Sequence, residues 1–399
     1  VNKFDIQNIS KRILITGGCG FIGVNLVNYL IKNGSDYIRI LDNLSIGTKE
    51  NLREVLKENG KITLERETEN FYRFKTNNNL KEITIDLIIG DIRSYKICLE
   101  ATKDIDIIIH LAAHAGVIPS IEDPFYDFNV NAYGTLNLLH ASVKNKIDKF
   151  IFASSNAPLG NQDPPLVEEK LPKPLSPYGA SKLACEGYCS AFYNSYGLKT
   201  IILRFSNAYG SYSLHKNSVI AKFIKDGILK RELTIYGDGT QTRDFIHVND
   251  LCRAIYLCLI FKEYSQTNQT NQTNEINQTN EINETNQINQ TNEINQINET
   301  NQTNFIWGKT FHLGTGKETR IIYLAEIIKR LFEDKIKIIF EPPRSGEIKR
   351  NYSDIKKAKN TFGFIPEIIL EDGVKEVYKW FLSQGIEKIK TTESLSGSE

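Results

Sequence analysis

The stretch Arg12-Ile13-Leu14-Ile15-Thr16-Gly17-Gly18-Cys19-Gly20-Phe21-Ile22-Gly23 decides the fold. Ile13 to Ile15 read as a short buried strand. Phe21 to Ile31 read as a helix with apolar residues at helical spacing, namely Ile22, Leu26, Tyr29 and Leu30. The glycines between them fit Gly-x-x-Gly-x-x-Gly (Gly17, Gly20, Gly23) and also Gly-x-Gly-x-x-Gly (Gly18, Gly20, Gly23). A side chain in such a turn blocks close approach of the backbone to a pyrophosphate. The helix N-terminus then offers unpaired N–H groups and a positive dipole end to the phosphates. Any tight strand–helix turn can use glycine, so the next strand carries weight. Tyr37 to Asn43 brings Asp42 to a strand end, near the roughly 20-residue offset at which a carboxylate accepts from a ribose diol. A carboxylate there suits NAD and repels a 2′-phosphate. Asn43 follows it at the adenosine end of the site.

Further along, apolar strands alternate with helices. Thr84 to Ile89 ends in Gly90-Asp91-Ile92-Arg93, where Asp91 can accept from an adenine amino group or cap the following helix. Residues 61–81 read as a polar insertion before that strand. Asp106 to Leu111 runs into Ala112-Ala113-His114-Ala115-Gly116, whose small residues let the backbone pass close to a flat cofactor. His110 and His114 lie there with no partner pattern, so each is a candidate for chemistry or for packing. Asn131 to Thr135 opens another helix, and Lys149 to Ala153 is a strand leading into Ser154-Ser155. This alternation predicts a doubly wound parallel sheet with helices on both faces, whose ligands lie beyond the carboxyl ends of the strands.

The chain has 399 residues and a formal net charge of +1, so neither a nucleic-acid face nor a polybasic membrane patch is expected. No apolar run is long enough to span a bilayer, and no signal-peptide pattern is recognisable. The cysteines (Cys19, Cys98, Cys185, Cys189, Cys252, Cys258) show no zinc spacing and read as reduced thiols, which points to a cytoplasmic protein with no metal.

Tyr178-Gly179-Ala180-Ser181-Lys182 follows Pro174 and Pro177 at the start of a helix. Tyr and Lys at i and i+4 share one helix face. A nearby ammonium is expected to lower the phenol pKa from about 10, which makes Tyr178 a general base. Lys182 can also donate to a nicotinamide ribose. Ser155 can hydrogen-bond both the phenol and a substrate hydroxyl.

Taken together, these motifs resemble the extended short-chain dehydrogenase/reductase superfamily, in its nucleotide-sugar epimerase/dehydratase branch. The resemblance runs from about residue 11 to 382, apart from the insertions. It implies a Rossmann domain over 1–206, with 240–262 returning to it, and a smaller C-terminal α/β substrate region over 207–385, followed by a tail over 386–399. It implies tightly held NAD, contacted by Gly17, Gly20, Phe21, Ile22, Gly23, Asp42, Asn43, Asp91, Ile92, Ala112 and Lys182, and a triad of Ser155, Tyr178 and Lys182. Asn207 resembles the family's substrate-phosphate contact, and Leu233 to Gly239, with Ile235 and Tyr236, the segment lining the base pocket. Arg243 and Arg344 suit a diphosphate, because guanidinium forks match phosphate oxygens. A homodimer is also implied.

The 4,6-dehydratases of the superfamily carry an Asp-Glu pair after the triad serine or threonine, and the UDP-glucuronate decarboxylases a Glu in the second of those positions. Here Asn156 and Ala157 stand there. What remains suffices for reversible hydride transfer at one carbon, so 4-epimerisation of a nucleotide-linked hexose is expected, with a UDP-hexose or UDP-uronate as substrate. A nucleotide-sugar dehydratase/decarboxylase or reductase of the same superfamily, and a non-catalytic NAD-binding regulatory module, are the alternatives. Ala157-Pro158-Leu159-Gly160 departs from the usual Ala-Val-Tyr-Gly type of ending and leaves the sugar open. From about 265 to 304 the chain repeats Asn-Gln-Thr and Asn-Glu-Ile units, a composition too polar for a core and expected to form a disordered surface loop.

Overall fold

The structure, a computed structural model, describes residues 11–78, 81–261, 305–344 and 348–396. The repeat insert at 265–304 lies outside them. The first unit is β1 (Ile13–Thr16), α1 (Phe21–Lys32), β2 (Tyr37–Asp42) and α2 (Lys49–Glu58). It continues through β3 (Ile62–Thr68), β4 (Phe71–Asn78), β5 (Lys81–Ile89), α3 (Tyr95–Ala101) and β6 (Ile107–His110). Short helices α4 (Val117–Glu122) and α5 (Pro124–Phe128) and a π-turn at Asn129–Tyr133 lead into α6 (Gly134–Lys144), β7 (Lys149–Ser155), α7 (Pro177–Tyr196) and β8 (Lys199–Phe205).

The nine-stranded sheet has the order β13-β8-β7-β6-β1-β2-β5-β4-β3, where β13 is Lys309–Leu313. β1 pairs in parallel with β2 on one side and β6 on the other. The strand order therefore reverses at β1, and the crevice between the carboxyl ends of β1 and β6 is the expected ligand position of a doubly wound sheet. Both faces are buried, which is why the strands read as continuous apolar runs. Ile13 and Ile15 face one core with Val24, Leu26 and Val27 of α1, while Leu14 faces the other with Ile108, Leu138 and Cys185.

The polar insertion expected over 61–81 is instead a hairpin, β3–β4, that extends the sheet antiparallel to β5. Its inward face carries Tyr72 and Phe74, buried against Ile83, Ile85 and Leu87. Its other side is fixed by Arg73, whose Nε and Nη2 donate to the Asp86 carboxylate at 2.7 and 2.8 Å. Period-2 burial beneath a charged outer face explains both the strand and its polar composition.

A second body starts after β8 with β9 (Asn207–Tyr209), α8 (Val219–Ile228), β10 (Leu233–Tyr236), β11 (Thr242–Arg243) and β12 (Phe245–His247). The chain then makes α9 (Val248–Ile260), which packs on α1 with the rings of Tyr29 and Tyr256 5.8 Å apart. After β13 come β14 (Thr319–Arg320), α10 (Ile321–Leu331), β15 (Ile338–Glu341), α11 (Lys356–Phe362), α12 (Leu370–Gln384) and α13 (Ile386–Ser396). This body has its own apolar core, including Phe223, Ile224, Leu324, Val377 and Phe381. β9 pairs in parallel with β12, setting Asn207 beside Phe245 next to the end of β8.

Candidate active site

The glycine turn has the geometry of a phosphate cradle. Gly17 sits at φ +71°, and a Cβ there would lie 2.8 Å from the Ala112 nitrogen. A Cβ on Gly23 would lie 2.1 Å from the Gly17 carbonyl oxygen. These two positions admit glycine alone. Gly20 is different: a Cβ would meet only the Gly17 oxygen, at 3.3 Å, so the space above it is open. Gly20 is also the N-cap of α1, makes no side-chain cap, and is followed by a first turn with no acidic residue. The N–H groups at this end are thus left for an anion.

Asp42 lies at the end of β2 as expected. Its Oδ2 accepts from the Cys19 N–H at 2.9 Å and its Oδ1 from the Leu44 N–H at 2.8 Å. Each oxygen retains a lone pair for a ribose hydroxyl. Burial pushes its carboxyl pKa up, and the two backbone N–H groups oppose that. Asn43 donates to Asp91 at 3.2 Å. Asp91 also holds the Arg93 guanidinium at 3.0 and 2.8 Å and accepts from the Arg93 N–H, so it closes a local turn and caps no helix. Its pKa is lowered by these hydrogen bonds against the opposing effect of its burial. The Ile92 side chain is buried in the core below, against Gly134. Ala112 donates its N–H to Thr16 Oγ1 at 3.3 Å, which brings the β6 loop against the glycine turn. The residues present therefore fit an adenine dinucleotide with an unphosphorylated ribose.

The triad residues come together at the ends of β7 and α7. Ser176 caps α7, accepting from the Gly179 N–H at 3.2 Å, with Pro177 at the first helical position. A Cβ on Gly179 would lie 2.7 Å from the Ala157 oxygen, so glycine lets the helix start lie directly on the turn that follows Ser155. Tyr178 is half-buried and lies beside Ser155, whose Oγ accepts from the Ala157 N–H at 3.1 Å.

The expected lowering of the phenol by Lys182 is not found. Burial pushes Tyr178 up to about 12, opposed by the neighbouring Ser155 hydroxyl. Lys182 Nζ donates instead to the Ala153 carbonyl at 2.9 Å and lies 5.9 Å from the Tyr178 ring centroid. Its own pKa is lowered by burial.

Sequence patterns left several polar residues unassigned. Asp127 on α5 is fully buried and accepts from Ser181 Oγ at 2.6 Å and Asn131 Nδ2 at 2.8 Å, with His114 Nδ1 3.6 Å away. It adds to the burial-driven rise of Tyr178 and opposes the burial-driven lowering of Lys182. Glu186 forms a buried bidentate pair with Arg204 at 2.9 and 2.7 Å and accepts from Ser154 Oγ at 2.6 Å. Its spacing of four from Lys182 is the signal that was available, since both lie on one helix face. His110 is fully enclosed between Thr16 Oγ1 (2.7 Å) and Thr135 Oγ1 (2.9 Å), and burial pulls its pKa down to about 3, so it is a packing residue.

Asn156 points away from Ser155. It donates to Ser353 Oγ at 2.9 Å and pairs with His312 Nδ1 at 2.9 Å in a buried network. The network runs on through Ser206 to Asp244, whose carboxylate accepts from the Thr315 and Gly316 backbone.

On the substrate side, Asn207 is exposed and its amide donates to the Asp244 carbonyl at 3.2 Å. Arg243 Nη1 donates to the carbonyls of Thr242 and Ile348, both at 2.7 Å. The Arg344 guanidinium lies 3.8 Å over the Tyr236 ring, joining those two residues. Ile235 differs: β10 alternates, and its side chain is buried in the core of the second body. All six cysteines are free and buried, and Cys185 packs on Asn131 and Thr135. Among the described residues no cluster is placed to hold a metal, and no helix is long and apolar enough to cross a membrane.

A doubly wound sheet with this glycine turn, a carboxylate at the end of β2 and Ser155, Tyr178 and Lys182 gathered beyond β7 has the layout of a dinucleotide-binding protein of the short-chain type. The chain belongs to the NAD dependent epimerase/dehydratase family, which it matches over residues 13–272. It is 35% identical over 372 residues to a putative UDP-glucose 4-epimerase of Methanocaldococcus jannaschii, covering 92% of this chain and 97% of that one. It resembles the structure of a UDP-glucose 4-epimerase of Thermotoga maritima with UDP-glucose (TM-score 0.72, 27% identity, 94% and 99% covered). It also resembles that of Thermus thermophilus UDP-glucose 4-epimerase with NAD (TM-score 0.69, 25% identity, 93% and 99% covered). NAD is accordingly the cofactor, and the glycine turn and Asp42 fit it.

Proposed function

We propose that this protein interconverts the C4 epimers of a nucleotide-linked hexose, most simply a UDP-sugar. The observation that carries this is the residue after the triad serine. Where an elimination or decarboxylation in this family places acids, Asn156 is turned into a buried network and Ala157 has no functional group. What faces the site is a set that moves one proton. Ser155 and Tyr178 lie side by side, so the pair can hold the C4 hydroxyl and pass its proton to the phenol oxygen. Bound NAD supplies reversible hydride acceptance at C4 and, when oxidised, a positive charge that offsets the burial of a phenolate. Lys182, fixed on Ala153, anchors the ribose side. The 4-keto sugar then turns over before the hydride returns, which asks for a pocket that grips the diphosphate and not the hexose. Arg243, Arg344 and Asn207 fit such a grip, with the base against Tyr236.

The same reading makes the chain a homodimer. Ile118, Ile121 and Phe125 on α4 and α5 are 61%, 60% and 81% exposed, and Phe128, Tyr133 and Tyr188 continue the patch. Large apolar side chains clustered on neighbouring helices are a surface for burial between copies. Its free cysteines suit the cytoplasm. Incubation with UDP-glucose, UDP-galactose, their N-acetylated forms and UDP-glucuronate, followed by chromatographic separation, tests the activity. A 4-epimer pair with no net change at 340 nm supports it. Loss of water, or stoichiometric consumption of the nicotinamide, overturns it.

A further inference from the structure

Lys216 is a cation without a counterion at the mouth of the cofactor cradle. It belongs to the segment joining β9 to α8, which is tied down over the first turns of α1. Asn25 on α1 donates to the Ser211 carbonyl at 3.0 Å, Ser213 Oγ to the Gly210 carbonyl at 2.6 Å, and the Lys216 N–H to the Ser213 carbonyl at 2.9 Å. Gly210 packs so closely that a Cβ there would lie 3.3 Å from the Phe21 ring. The Lys216 ammonium ends 5.2 Å from the centroid of that same ring, which belongs to the first residue of α1.

Among the described residues its ammonium has no hydrogen-bond acceptor and no carboxylate partner. Lys225 lies close enough to depress His215, and α1 has neither an acidic first turn nor a side-chain cap. Burial alone lowers the Lys216 pKa, with no carboxylate opposing it. A half-buried ammonium that has only an aromatic face for a neighbour, beside a helix N-terminus with no cap and no acidic first turn, is a place where an anion is stabilised.

We propose that Lys216 is a binding residue for the pyrophosphate of the dinucleotide, reaching from the second body across Phe21 to clamp it against the glycine turn. The inference rests on the cofactor site and not on the identity of the sugar reaction. It ties retention of NAD to the segment that leads from Asn207 into the substrate-binding body.

The test uses the full chain freed of bound dinucleotide, titrated with NAD, ADP, adenosine and UDP. Lys216→Gln is expected to weaken NAD and ADP by the same factor, roughly 10- to 100-fold, as for loss of a charge-assisted contact. Adenosine, which lacks the pyrophosphate, and UDP bind as before. Equal loss for adenosine would show a distorted cradle. Loss for UDP with NAD unchanged would assign the lysine to the substrate. No change in any of the four would make it a solvated side chain. Each of these outcomes overturns the proposal. Lys216→Arg keeps the charge and serves if the Gln variant misfolds. It should hold NAD within about threefold of native, with an affinity that falls as chloride rises. An affinity indifferent to salt in both the native and Arg chains also overturns the proposal.

Discussion

Replacing Asp42 by alanine should damage folding and cofactor binding separately, by amounts that the structure apportions. The carboxylate accepts the Cys19 and Leu44 N–H groups at 2.9 and 2.8 Å, and the side chain is only 7% exposed. Leu44 itself sits at φ 58°, a conformation that Asp42 helps to hold. Two charge-assisted bonds to backbone would suggest a loss of about 3–6 kcal/mol. The raised pKa of Asp42 shows, however, that burial outweighs those bonds for the charged form, so removal also relieves a desolvation cost. We expect a folding loss of about 2 kcal/mol, at the low end of the range for buried N–H groups left unpaired. Loss of the ribose contacts should weaken NAD by a further 1–3 kcal/mol, about 5- to 150-fold in Kd. Urea unfolding of the dinucleotide-free chain measures the first, and NAD titration under fully native conditions the second. Discrimination against NADP should fall as well. An Asp42→Ala chain with native NAD affinity, or a native chain that binds NAD and NADP equally, would refute the assignment.

Tyr178→Phe keeps the ring but removes the proton acceptor, so it should fold and bind NAD normally while turnover falls by about 10²–10⁴; near-native turnover would mean the base is elsewhere. Stability should decline in acid. His110 and His312 are held neutral by burial with pKa values pulled down to about 3, and His215 and His247 to about 4. The unfolded chain binds protons at these sites below about pH 6.5, so the stabilisation is complete above that pH and is lost as pH falls toward 4. Each buried histidine contributes up to about 1.4 kcal/mol per pH unit in that window, and a urea midpoint flat from pH 7 to 4.5 would contradict this. Ile121→Glu with Phe125→Glu should give a monomer in sedimentation, and an unchanged dimer would place the interface on another surface.

The sequence carried the features that are local. β1, the glycine turn, α1 and Asp42 are contiguous or one strand apart, and Tyr178 and Lys182 share a helix turn, so periodicity and spacing suffice to find them. The hairpin β3–β4 was hidden for a physical reason. Tyr72 and Phe74 alternate correctly, but the charged outer face lowers the mean hydropathy of the whole stretch. Residues joined through space were not legible. Asp127 and Ser181 are far apart in the chain, and so are Asn156, Ser353 and His312, yet each set meets in a buried hydrogen-bonded group. The direction of the Tyr178 shift also depended on where Lys182 points. Spacing puts the lysine on the correct face, but only the Ala153 carbonyl shows that its ammonium is engaged away from the phenol.

The central claim is that a hydride leaves C4 of the sugar and returns to the same carbon on the opposite face. A UDP-hexose carrying deuterium at C4 tests it most directly, with the product isolated and its isotope content read by mass spectrometry. The account predicts a C4-epimerised product that retains the deuterium. Washout of the label into solvent, at a rate matching epimerisation, would contradict it.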